Sequence, residues 1–264
     1  MKKLSLILLL LLIVCVGCQW GLRSNDDQGK TDAVVIERLD RMELLYLTTG
    51  DFAALQQMKT MYPAETRILI EEVLQLGMVD EPDINTRLLL FFQDSTLQSL
   101  MRDVELQYAD VEDVTEGLTN AFSNLSELLP DMIVPRVYMQ IGSLDQSVVV
   151  DDTLVGVSLD KYLGADNPVY QRYGYSERQR SMMTRQYIVP DCVAFYLLRH
   201  YPMPIEVDDT THLKRTHMAR IQYVVNQVTD SRVFSNDEVS EVEKYMTSHP
   251  EVSIKQLLSA KNNQ

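Results

Sequence analysis

From Ala33 onward the apolar positions recur at helical spacing, with Ile36, Leu39, Met42 and Leu45 on one predicted face. Asp51 then stands as the cap of a short helix, FAALQQMKTMY, that Pro63 ends. Further helices are predicted in ETRILIEEVLQLG, in INTRLLLFFQDSTLQSLMRDVELQY as one long element, and in DVEDVTEGLTNAFSNLSELL before Pro130. Asp110 and Asp113 at the start of the last are a relative of the capping box. After Ile133 the pattern shifts to clustered and alternating β-branched residues, which predicts strands at Val134–Ile141, Val148–Val150 and Leu154–Leu159. Asp151-Asp152 forms the turn between the last two, and Val155, Val157 and Leu159 give one buried face. A single turn, SLDKYLG, a tyrosine-rich loop through Tyr175, and three helices follow, in YIVPDCVAFYLLRHYP, THLKRTHMARIQYVVNQV and NDEVSEVEKYMTSH. The expected fold class is α+β, mostly helical with a small antiparallel sheet in the middle of the chain.

The N-terminus carries a different pattern: Lys2 and Lys3, an apolar run from Leu6 to Val14, then Gly17 before Cys18. The run is shorter than the roughly 20 residues that a membrane-spanning helix needs, so it reads as a secretory signal cleaved in front of Cys18. This segment resembles the lipobox of bacterial lipoproteins, in which that cysteine becomes the lipidated first residue. Residues 1–17 are then signal, 18–32 (Cys18 followed by QWGLRSNDDQGKTD) a flexible tether, and 33–264 one globular domain. Gln19 is not the aspartate associated with inner-membrane retention, which points to an outer-membrane anchor with the domain facing the periplasm.

Charge narrows the partners. The formal charge is −14, and losing Lys2 and Lys3 with the signal makes it two units more negative. So acidic a chain excludes nucleic acid and has no basic patch for anionic lipid, leaving the acyl chains to hold the membrane. The expected partners are therefore the membrane, through the lipid anchor, and other envelope proteins; no cofactor is implied. Of the three cysteines, Cys15 leaves with the signal and Cys18 takes the lipid. Cys192 sits in an apolar run as a small core hydrophobe.

Candidate chemistry is sparse. A zinc hydrolase of the HExxH type needs two histidines four apart on a helix with a glutamate beside the first. Tyr196 and Pro204 stand where a partner of His200 would lie, and His212 and His217 are five apart, rotated by about 140° and expected exposed. No metal ligand set is assigned. The carboxylate pairs Asp151-Asp152 and Asp208-Asp209 read as a turn and a helix cap. Tyr162, Tyr170, Tyr173 and Tyr175 read as loop packing over the sheet, with a glycan or peptide surface as the alternative. In YIVPDCVAFYLLRHYP, Pro190 disfavours helix at Val189 and Asp191 is expected to cap a helix Cys192–Arg199, with His200 in its last turn.

Taken in order, IERLDRMELL, LQQMKTMYP, LPDMIVPRVYMQIGSLDQSVVVDDTLVGVSLDKYLGADNPVY and YIVPDCVAF resemble the gliding-motility-associated lipoprotein family GldB. The most specific part is SLDKYLG, whose Asp160, Lys161, Tyr162, Leu163 and Gly164 form the family motif. The resemblance implies a non-catalytic, membrane-anchored envelope component of the gliding and secretion machinery of Bacteroidetes. The element order is also similar to zincin-like metallopeptidases, in which the helix after the sheet bears HExxH. Here that helix is DCVAFYLLRH, without the ligands, and a metallopeptidase-type hydrolase with a non-standard site is the alternative.

Overall fold

The first departure from helical expectation comes at the start, where Ile36–Arg38 is a strand, β1. The computed structural model describes residues 33–203 and 210–260; the signal, Cys18, the tether and Asp208-Asp209 lie outside them. Helix α1 (Leu39–Thr49) follows at once and ends at Gly50, whose left-handed φ of 67° lets its N–H reach the Tyr46 carbonyl. It buries Leu39, Asp40, Glu43 and Tyr46, while Leu45, expected inside, is 40% exposed. Helix α2 (Phe52–Met61) starts as predicted, with the Asp51 carboxylate accepting the Ala53 N–H at 2.8 Å.

Helix α3 (Pro63–Arg67) begins at a proline, which needs no N–H there, and widens into a π-helical stretch, Ile68–Val73. The long helix expected next is two, α4 (Ile84–Phe91) and α5 (Ser95–Gln107). Asp94 divides them, since its carboxylate accepts the amide protons of Thr96 and Leu97 at 2.8 and 3.2 Å. Helix α6 (Glu112–Leu128) completes the helical half. Asp110 accepts the Glu112 N–H, but Asp113 turns away to Arg185 at 2.6 Å, so no capping box closes.

Strands β2 (Arg136–Gln140), β3 (Val148–Val150) and β4 (Leu154–Ser158) fall where alternation predicted. Their arrangement does not. The order is β1-β2-β4-β3, with β1–β2 and β2–β4 parallel and only β3–β4 antiparallel, so the sheet is mixed. The helical half is the crossover that returns the chain parallel to β1, and the β3–β4 hairpin places β3 outside and β4 against β2. Parallel strands are covered on both sides, and all five positions of β4 are buried in place of the single face expected. On one side Tyr138 of β2 lies over Gly156 of β4, where any Cβ would collide with its ring.

After β4 come a 3-10 turn (Leu159–Lys161), α7 (Pro168–Arg172), α8 (Glu177–Met182), a second 3-10 turn (Arg185–Tyr187) and α9 (Ile188–His200). Helices α10 (Thr210–Val228), α11 (Asp237–Ser248) and α12 (Ile254–Ser259) end the described chain. Helix α9 packs on β3, β4, α6 and α10, burying Val193 and Leu197 completely in a core shared with Val137, Met139, Val155 and Val157. Each such side chain contributes about 1.5–3 kcal/mol by leaving water. Among the described residues no helix is long and apolar enough to cross a membrane.

Candidate functional site

The motif at the end of β4 sits within a network of buried polar groups. Because β2 and β4 are parallel, their carboxyl ends lie side by side, and the turn 141–144 after β2 meets the 3-10 turn after β4. In that turn Ser143 and Leu144 take left-handed φ values of 53° and 66°. Asp160, fully buried, fixes this conformation by accepting the N–H of Gly142 at 2.7 Å and of Leu144 at 2.5 Å. Burial pushes its carboxyl above the ordinary range, and the two amides pull it back.

Each neighbour in the motif is tied in the same way. Lys161 donates to the Leu144 carbonyl at 3.2 Å and to the Tyr175 hydroxyl at 3.0 Å, and its ammonium lies 4.6 Å from the Tyr175 ring centre. The Tyr162 carbonyl accepts the Tyr108 hydroxyl of α5 at 2.6 Å, and the Tyr162 hydroxyl donates to Asp191 of α9 at 2.8 Å. Leu163 is buried and gives its N–H to the Tyr170 hydroxyl at 2.8 Å, which donates onward to the Asp160 carbonyl at 2.7 Å. Gly164, with φ 106°, reaches the Met183 carbonyl. Tyr162, Tyr170 and Tyr175 therefore pack and bond internally; Tyr173 alone of the four is exposed, at 52%.

Asp191 is not a cap. Helix α9 starts at Ile188, four residues earlier than expected, because the preceding 3-10 turn runs straight into it and proline is tolerated in a first turn. Asp191 sits inside that turn, half-buried, with its carboxyl lifted to about 6 by burial against the opposing bond from Tyr162. Burial also pushes up the thiol of neighbouring Cys192, which is fully buried.

Sequence reasoning passed over a second layer. Helix α1 lies against β2 and brings Asp40 and Glu43 inside. Asp40 is paired with Arg38 at 2.7 Å, whose guanidinium also donates to the Tyr108 carbonyl. Glu43 accepts the Ile141 N–H at 3.1 Å, at the first residue of the turn that Asp160 holds, and burial pushes its carboxyl well up. The spacing Leu39, Glu43, Tyr46 was the available signal, since these share a helix face with Asp40 beside it.

The histidines do not join these carboxylates. His200 ends α9, about 13 Å along the helix from Asp191 at 1.5 Å per residue, and stacks edge-on against Tyr196 with ring centres 4.4 Å apart. His212 is exposed, whereas His217, expected exposed, is buried and bonded to the Tyr201 carbonyl at 2.9 Å. Among the described residues no three His, Cys, Asp or Glu side chains are grouped to hold a metal ion.

Fold and site together define an α+β domain whose mixed sheet is locked at its carboxyl end by a tyrosine and aspartate network. The chain belongs to the gliding motility protein GldB family, whose model matches residues 23–231 and so includes the whole of this network. No curated protein and no solved structure matches it.

Proposed function

We propose that the protein is a non-catalytic lipoprotein of the bacterial envelope, anchored through Cys18 with its domain in the periplasm, and that it works by assembling with other envelope proteins of a gliding or secretion machine. Family membership carries this reading: the match ties the chain to gliding motility and to a lipoprotein anchor in the envelope. The use of Asp160, Lys161 and Tyr162 in internal hydrogen bonds supports a structural role for the motif. Gln19 after the lipidated cysteine favours the outer membrane.

The test separates anchor from chemistry. Cys18→Ser should move the protein from the membrane to the soluble fraction and abolish the function of the machine in the source bacterium. His200→Ala should leave that function intact. A Cys18→Ser variant that still fractionates with membranes would overturn the anchor, and loss of function with stoichiometric zinc removed by His200→Ala would put the hydrolase alternative in its place.

A further inference from the structure

Strand β3 is the edge of the sheet; Val148 is 6% exposed, and Val149 and Val150 are half-buried. Ser147 accepts the Ser158 N–H and Asp151 donates to the Leu154 carbonyl, so the alternation of an antiparallel ladder turns Val149 toward β4 and Val148 and Val150 outward. Among the described residues, the N–H and C=O groups of Val148 and Val150 form no hydrogen bond on that outer side. Backbone groups left unpaired on the edge of a sheet are a template for another strand.

Helix α9 runs beside this edge, fixed at both ends. At one end Asp191 binds the Tyr162 hydroxyl, itself in contact with the Ser147 side chain. At the other end Arg199 binds Asp152, just past β3, at 2.8 Å. Asp191, Phe195 and Arg199 recur every four residues and so share one stripe of the helix. Phe195, between the two ends, is 39% exposed although its helix neighbours are core.

We propose that the outer edge of β3, backed by the Asp191, Phe195 and Arg199 stripe, is a docking site where an extended cationic segment of a partner protein adds to the sheet as a fifth strand. Backbone pairing with Val148 and Val150 supplies the attachment, and an apolar side chain of the segment covers Phe195. Charge selects the occupant. Exposed Asp145 precedes β3, and exposed Asp151 and Asp152 follow it. Two copies of this chain paired antiparallel through β3 would set Asp145 of one against Asp151 and Asp152 of the other, whereas lysines or arginines of a partner meet all of them favourably.

The full lipidated chain in detergent micelles is panned against a phage library of random peptides, and enriched peptides are measured by fluorescence anisotropy. Enriched sequences should alternate apolar residues with Lys or Arg. Methylating alternate backbone nitrogens of a bound peptide should weaken it at least tenfold. Val150→Pro should do the same with an unchanged circular dichroism spectrum, because it deletes an outward N–H and leaves the β3–β4 bonds in place. No enrichment, or peptides indifferent to methylation, would overturn the site. So would a wild-type dimer that Val150→Pro dissociates. The proposal rests on the non-catalytic reading only in that the segment is held intact: methylation-sensitive peptides recovered cleaved would overturn that reading and support the docking edge.

Discussion

Asp160 and Asp191 are both buried carboxyls in one network, yet they hold different things. Asp160 satisfies two amides of a turn with two left-handed residues, so its loss strands buried donors. Asp160→Ala should destabilise the domain by on the order of 3 kcal/mol, and Asp160→Asn by less, in urea titrations. Asp191 has one hydrogen-bond partner among the described residues, Tyr162, and asparagine can accept that hydroxyl equally well. Burial lifts its folded-state value to about 6 from an ordinary carboxyl near 4, so the native state binds the extra proton. The stability that this proton supplies is complete below about pH 4 and is lost as the pH rises through about 6. Wild-type stability relative to Asp191→Asn should therefore fall across that interval, and a flat difference from pH 4 to 7 would refute the assignment.

At the scale of the element, most of the helices and the strand positions were legible, because amphipathic spacing and β-branched runs report the local period directly. The break between α4 and α5 was not, since the apolar pattern continues across it and only Asp94 marks the new start. Asp94→Ala should cost about 1 kcal/mol by leaving the Thr96 and Leu97 amides unmatched. The three-residue β1 was unreadable for another reason: Ile36 fits a helix face as well as a strand, and pairing with Val137 decides between them. Asp191 misled because a cap and a residue inside the first turn look alike in sequence, and the distinguishing contact comes from Tyr162, 29 positions away. Within the sheet, Gly156→Ala should destabilise by about 1–3 kcal/mol by forcing the Tyr138 ring off β4. Tyr138→Phe should be neutral or stabilising in the same unfolding assay, because the phenol oxygen is buried without a hydrogen-bond partner.

For the molecule as a whole, the apolar and β-branched patterning carried the fold class and the family segments the family, while the strand directions waited on long-range contacts. The motif itself was legible as a segment and illegible as a network, because its partners Tyr108, Leu144 and Asp191 come from α5, the turn after β2 and α9. The parallel pairing of β1 with β2 has a further consequence, for the order of events during folding. Ile36 meets Val137 only after about a hundred residues of intervening chain, and closing so long a loop costs entropy before any contact rewards it. The helices of the intervening half can form and collapse within microseconds to milliseconds, whereas β1 must wait for its neighbour to emerge. As the chain is delivered from its N-terminus, β1 is the first of the described elements to arrive and among the last to be captured. A folding-competent domain thus passes through a stage in which its first strand is still unmatched. Pulse-labelling hydrogen exchange during refolding should protect α5 and α6 before Ile36–Arg38.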